Sequence, residues 1–344
     1  RVSTPWTRED ARTLAALAAA GLIFVAALLL ATTPPDALTA LDPQAVTRYN
    51  LIAGAIGIVS ALLVTATSVV MTRKYPGASG VALAHTVPLL TAAAALRLSQ
   101  SHWDTAGWGW TGLGLLIGAL AVLTLPKRYR ISIAAPLVVG TVLAATGLLV
   151  RLGQLSQAGI SAILFALIIV LLQVAPWIAL AHIPVRILDA DTTEQIPAKG
   201  ITDQVSNSFV FVVALRSGGA VAAIFLTISL MTAPETRSVS LPLTLLTLGA
   251  VSLVLQTRSI RARVEVLLGA LSGLIVILVA TVLGAYADPR TMPWLTLTAI
   301  ATALVLVVTN VVGPRARPHL TRIADTVSVL SLFVLLPLAV YLWS

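Results

Sequence analysis

No cysteine occurs among the 344 residues, which excludes disulfides, thiolate metal sites and cysteine nucleophiles together. Charge is scarce as well. Only 10% of residues are charged, whereas a soluble domain carries about 25%. Thirteen acidic residues and four histidines leave little material for acid–base or metal chemistry. No segment outside the apolar runs is long enough to fold a core of its own. A soluble enzyme, a disordered scaffold and a nucleic-acid binder are therefore excluded.

What remains is apolar. Hydrophobic residues make up 58% of the chain and the mean hydropathy is +0.98, which defines an integral membrane protein. A bilayer core needs about 20 mostly apolar residues in helix, and eleven runs meet that need. They are Leu14 to Ala31, Tyr49 to Met71, Gly80 to Leu98, Trp108 to Leu125, Ser132 to Leu152, Ser156 to Ala181, Leu215 to Ala233, Val239 to Leu255, Val264 to Tyr286, Met292 to Val312 and Ile323 to Trp343. The seventh holds Gly218 and Gly219, and Ile201 to Leu215 before it reads either as an interfacial helix or as the start of a longer span. The first run is not a cleaved signal peptide, because no small-residue cleavage site follows it. The expected fold is an all-α bundle of about eleven transmembrane helices.

Orientation follows from arginine and lysine in the short loops. With sides numbered alternately, Arg48, Arg97, Arg151, Arg237 and Arg290 fall on one side and every other basic residue on the opposite one. The basic side is expected to be cytoplasmic, with the N-terminus inside and the C-terminus outside. The whole net charge of +9 then lies on one face. Residues 1–13 form a cytoplasmic lead-in and residues 14–344 a polytopic domain, with the longest cytoplasmic connection over 182–214. That loop divides the spans six to five and no internal repeat is visible, unlike a symmetric transporter. Trp103, Trp108, Trp110, Trp294, Tyr341 and Trp343 fall on the outer side as an aromatic belt would. The chain opens on Arg1 rather than Met, so residues are expected to precede it. Arginine greatly exceeds lysine (Lys74, Lys127 and Lys199) in an alanine-rich chain, which fits a GC-rich, actinobacterial genome.

Ionisable groups near the midplane would mark a transport path, and the runs hold few. Asp325 follows Arg322 by one helical turn and reads as its ion-pair partner. His85 lies early in the third run and reads as bonded to a backbone carbonyl or a neighbouring helix. Arg97 and Arg151 stand at run ends, where they can snorkel; Gln173 and Asn310 suit interhelical hydrogen bonds. The histidines, His85, His102, His182 and His319, show no ligand spacing, so no metal is expected. No hydrolase elbow, Walker loop or dinucleotide fingerprint occurs, so no catalytic residue and no cofactor are assigned.

Small residues are more informative. Gly114 with Gly118 and Gly269 with Gly273 form GxxxG pairs, and Gly54, Gly57, Ser60 and Ala61 add a stripe in the second run. Such faces let helix backbones approach where lipid supplies no hydrophobic drive. The basic clusters Lys127, Arg128, Arg130, then Arg258, Arg261, Arg263, then Arg315, Arg317 satisfy the positive-inside rule, and they also suit acidic headgroups or an acidic partner. Asp189, Asp191 and Glu194 break that rule on the cytoplasmic side and are candidates for protein contact.

Eleven runs, an inside N-terminus, a proline-containing loop after the sixth run (APWIALAHIPVRILDADTTEQIPAKG) and a final run ending FVLLPLAVYLW resemble EccD. EccD is the multi-spanning subunit of mycobacterial type VII (ESX) secretion machines. The resemblance implies an upstream ubiquitin-like domain, two copies enclosing a lipid-filled space, and the partners EccB, EccC (the ATPase) and EccE in the plasma membrane. It carries over no functional residue. The expected role is a non-enzymatic scaffold that anchors the ATPase. Its rivals are a secondary transporter or lipid flippase, which would depend on His85 or Asp325, and a membrane transferase using His102 with Asp104.

Overall fold

The computed structural model describes residues 8–32, 43–74, 78–100, 105–125, 130–153, 155–181, 198–235, 238–256, 263–288, 290, 292–293, 295–297, 300 and 317–343. The described residues are overwhelmingly helical and fall into two compact units, Arg1–Arg151 and Leu152–Ser344. The division therefore comes after the fifth expected run, not at the long loop, because the sixth run packs with the helices that follow it.

The first unit contains α1 (Arg8–Thr32), α2 (Pro43–Lys74), α3 (Ala78–Ala84), α4 (Val87–Leu98), α5 (Thr105–Ala119) and α6 (Ala134–Gly153). Helices α3 and α4 are one span broken at His85–Thr86. Pro88 supplies the reason, since its ring would clash with the carbonyl four residues back, that of Ala84, where α3 ends. At the break the Thr86 hydroxyl donates back to the Leu83 carbonyl of α3 at 2.8 Å, which also accepts the Thr86 N–H. Helix α4 lies against α1, α2 and α5. Its inner face is almost wholly buried, whereas α1 exposes Leu14, Leu17, Leu22, Phe24, Val25, Leu28 and Leu29.

The second unit contains α7 (Gln157–Ala181), α8 (Ala198–Met231), α9 (Ser240–Gln256), α10 (Arg263–Ala287) and α11 (Arg317–Trp343). Helices α7, α8, α10 and α9 form a closed ring of neighbours, and α11 packs on α7 and α9. Helix α8 begins at Ala198, so the connection expected over 182–214 is helical from Ala198 onward, and the apolar window of the seventh span opens at Ser208 rather than Leu215. Beyond Gly200 nothing in Ile201 to Leu215 breaks a helix, so the polar-to-apolar stretch continues as one.

Nine helical segments among the described residues are long and apolar enough to cross a bilayer. The 17-residue α9, about 25 Å long, corresponds to the eighth expected run. The tenth expected run, Met292 to Val312, lies largely outside the described residues.

Candidate functional site

Most hydroxyl side chains in the spans donate to a carbonyl of their own helix one turn back, but a few polar side chains bond helix to helix. Three of the four edges of the α7–α8–α10–α9 ring carry such a contact. Across α7 and α8, Gln157 Nε2 donates to the Ser229 carbonyl at 2.9 Å, and the Ser161 and Ser229 hydroxyls lie 2.7 Å apart. Across α7 and α9, Gln173 Nε2 reaches Ser252 Oγ at 2.9 Å, and Gln256 Nε2 donates to the Leu172 carbonyl at 2.7 Å. Across α8 and α10, Arg216 Nη1 stands 3.2 Å from Glu265 Oε2, with side-chain exposures of 5% and 11%. The fourth edge is a glycine contact: a Cβ on Gly273 would stand 2.8 Å from the Ala250 carbonyl oxygen of α9.

The first unit relies on glycine. A Cβ on Gly114 would stand 2.5 Å from the Thr91 carbonyl oxygen, and one on Gly118 would stand 2.5 Å from Pro88 Cα, both on α4. At 100° per residue, Gly109 and Gly112 lie on the opposite side of α5. There a Cβ on Gly112 would overlap the Ala144 nitrogen of α6. The GxxxG spacing marks one face of α5; the helix is glycine-lined on two. Gly54 and Gly57 of α2 likewise meet Leu98 and Ala94 of α4.

Arg97 is the charged exception in this unit. Its place at a run end predicts snorkelling, but it is 5% exposed. Its Nε donates to the Leu30 carbonyl in the last turn of α1, Nη1 lies 3.4 Å from Asn50 Oδ1, and the guanidinium stands 5.9 Å from the Tyr49 ring centroid. A carbonyl left unpaired at a helix end is a natural acceptor for such a group, so Arg97 ties α4 to the ends of α1 and α2. Arg151 is exposed as snorkelling requires. His85 Nδ1 lies 2.8 Å from its own-turn Val81 carbonyl oxygen, the structural arrangement expected of it. Trp108, expected in the aromatic belt, is 7% exposed and packed inside; Trp110, Tyr341 and Trp343 are exposed.

Of the candidate partner residues, Asp189, Asp191, Glu194, Arg258 and Arg261 lie outside the described residues, and Arg263 opens α10. Of the packing glycines, Gly114, Gly118 and Gly273 sit at the contacts above, and Gly269 is half-buried one turn before Gly273. His102 and Asp104 also lie outside the described residues. Among the described residues no cluster of three metal-ligating side chains occurs.

These features define a polytopic helical membrane protein in which buried glutamine, serine and arginine side chains join neighbouring helices. Its sequence matches the EccD-like transmembrane domain over residues 11–344. The chain belongs to the EccD family, and so to the structural membrane subunits of type VII secretion complexes, which are multi-pass proteins of the inner membrane. Its fold is similar to a chain of protomer 1 of the ESX-3 core complex, with a TM-score of 0.71 and 17% identity, covering 99% of this chain and 77% of that one. It is also similar to a chain of the MycP5-free ESX-5 inner membrane complex in state II, with a TM-score of 0.58, 15% identity and coverages of 91% and 78%. No curated protein matches the sequence.

Proposed function

We propose that the chain is a non-enzymatic scaffold that dimerises in an actinobacterial plasma membrane and, with EccB-, EccC- and EccE-like subunits, builds the membrane part of a type VII secretion complex. The observation that carries this reading is the use of polar side chains. Arg97, Gln157, Gln173, Arg216, Gln256 and Glu265 each meet another helix of the chain, as structural groups do. A transport path would instead turn such groups toward a shared cavity. The N-terminus lies on the cytoplasmic side, supported by the one-sided arginine and lysine distribution. In that orientation the acidic Asp189, Asp191 and Glu194 and the basic Arg258, Arg261 and Arg263 face the cytoplasm and contact partner subunits.

Affinity purification from native membranes in mild detergent, followed by mass determination of the intact particle, tests this. A large assembly containing an ATPase and single-span partners is expected. A partner-free monomer or dimer that exchanges solute or flips lipid in liposomes would overturn the scaffold and establish its rival.

A further inference from the structure

The buried pair Arg216–Glu265 is costlier than it needs to be. Arg216 Nε and Nη2 are sealed from solvent and meet no acceptor among the described residues, so only one arm of the guanidinium is satisfied. Replacing a buried ion pair by well-packed apolar residues is often neutral or stabilising, whereas removing one partner leaves an uncompensated charge. A contact kept for stability alone would be better made by two leucines. What the pair provides, and leucines do not, is a penalty on every other alignment of the two helices.

Such a penalty has a purpose between α8 and α10, which run parallel. Helix α8 is antiparallel to α7, because Gln157 and Leu172 of α7 meet Ser229 and Gly219 of α8. Helix α9 runs parallel to α7, since Phe165 and Gln173 meet Gly249 and Ser252 in the same order. Helix α10 is antiparallel to α9, with Gly273 against Ala250 and Gly284 against Leu243. On the face of α8 that carries Arg216, the residues three, four and seven positions on are Gly219, Ala220 and Ala223, all small and buried. A smooth surface of this kind packs almost equally well after a slip of one turn, about 5.4 Å. The pair also sits in a particular layer. Glu265 is in the first turn of α10, Gln256 ends α9, and Leu172, which accepts from Gln256, also faces Gly219 one turn on from Arg216. From this layer α8 extends back to Ala198, about 27 Å of helix. The acidic segment with Asp189, Asp191 and Glu194 leads directly into α8, and the basic segment with Arg258, Arg261 and Arg263 leads directly into α10.

We propose that Arg216 and Glu265 form a register pin, which fixes how far α8 and α10 stand along one another and thereby sets the relative height of their first turns at Ala198 and Arg263. The register is a property of this chain alone; its consequence for partner assembly rests on the secretion-scaffold reading. A one-turn slip would strand both charges in an apolar layer and shift the starts of α8 and α10 relative to each other by the same distance.

The absence of cysteine makes the register directly readable in native membranes. Ala220→Cys with Gly269→Cys, one turn on from each member of the pair, reports the native register, and Ala223→Cys with Gly269→Cys reports a slip. In the otherwise unchanged chain the first pair crosslinks strongly and the second weakly. In Arg216→Leu/Glu265→Leu the protein still inserts and accumulates, and the ratio of native to slipped crosslink falls about tenfold, the effect of losing about 1.4 kcal/mol of preference. The charge swap Arg216→Glu/Glu265→Arg restores the ratio. A wild-type ratio in the leucine variant overturns the pin, as does a charge swap that folds yet crosslinks in the slipped register. Failure of both variants to accumulate also overturns it, since the pair would then serve stability rather than register. A moved ratio with undiminished co-purification of partners keeps the pin and removes its assembly consequence, and the mass of the intact particle tests the scaffold separately.

Discussion

The two units hold their helices by the same two means, close glycine contact and polar bridging, in different proportion. In the first, α5 lies between α4 and α6 with glycine on both faces, so backbones touch and the gain comes from dispersion over closely approached surfaces. In the second, glutamine, serine and one ion pair cross three of the four edges of the helix ring. Lipid offers no hydrophobic drive for either arrangement. The difference teaches that close approach and polar bridging are alternative solutions to one problem. They fail differently: a glycine contact as tight as that of Gly112 tolerates no added atom, while an uncharged polar bridge tolerates loss at modest cost.

The largest effect should follow from the tightest glycine. Gly112→Ala drives a Cβ into the Ala144 nitrogen and places it 2.7 Å from the Gly140 carbonyl oxygen. Backbone cannot rotate away as a side chain can, so the cost is expected to reach about 3 kcal/mol or more. Loss of most monodisperse protein in fluorescence-detected size exclusion is the expected result. Gly109→Ala is the paired control. Its nearest neighbour is Gly147 Cα at 3.4 Å, an ordinary contact, so near-normal yield is expected. Equal damage from both would break the assignment of the first unit to close approach.

A smaller effect is expected in the second unit. Gln173→Leu removes the 2.9 Å bond to Ser252 Oγ on α9, and interhelical hydrogen bonds in membranes are worth about 0.6 kcal/mol on average. Thermal unfolding in detergent should show a fall of a few degrees in Gln173→Leu, without loss of yield. A collapse as severe as that of Gly112→Ala would mean that the polar bridges carry the second unit's fold, and the contrast between units would then lie in chemistry alone.

Much of this is legible in the sequence, for reasons tied to particular residues. The spans follow from hydropathy, and the Gly114–Gly118 contact follows from its spacing, because one turn of helix brings both glycines to one face. Gly112 escapes such a reading, since no spacing rule marks a second face until the neighbour on that side is known. Arg97 reads as snorkelling because it ends an apolar run; its burial depends on Leu30 and Asn50, far away in the chain. Arg216, second residue of the seventh expected run, counts in the sequence only toward the basic side, and the longer α8 and the distant Glu265 show it as a buried pair. Trp108 has the composition of a belt residue, but the start of α5 at Thr105 turns it into the packed interior. Patterns local to one helix are readable; partners separated by many residues are not.

The smallest effect sharpens the comparison most, because it separates glycine as a contact from glycine as a residue type. Gly21 lies in α1, where an added Cβ would meet nothing within 4 Å among the described residues, beside the exposed Leu22 and Phe24. Glycine in a helix interior is less favourable than alanine by about 0.8–1.0 kcal/mol in water. Gly21→Ala should therefore leave yield unchanged and either hold or slightly raise the unfolding temperature. Should Gly21→Ala destabilise the purified protein, the exposed face of α1 would be in close contact with something outside the chain, and the second copy or a partner subunit would be the place to look. Measured in the intact particle and again in the isolated chain, the same substitution distinguishes those cases: damage confined to the particle locates an intersubunit contact, whereas damage in both locates an effect on α1 itself.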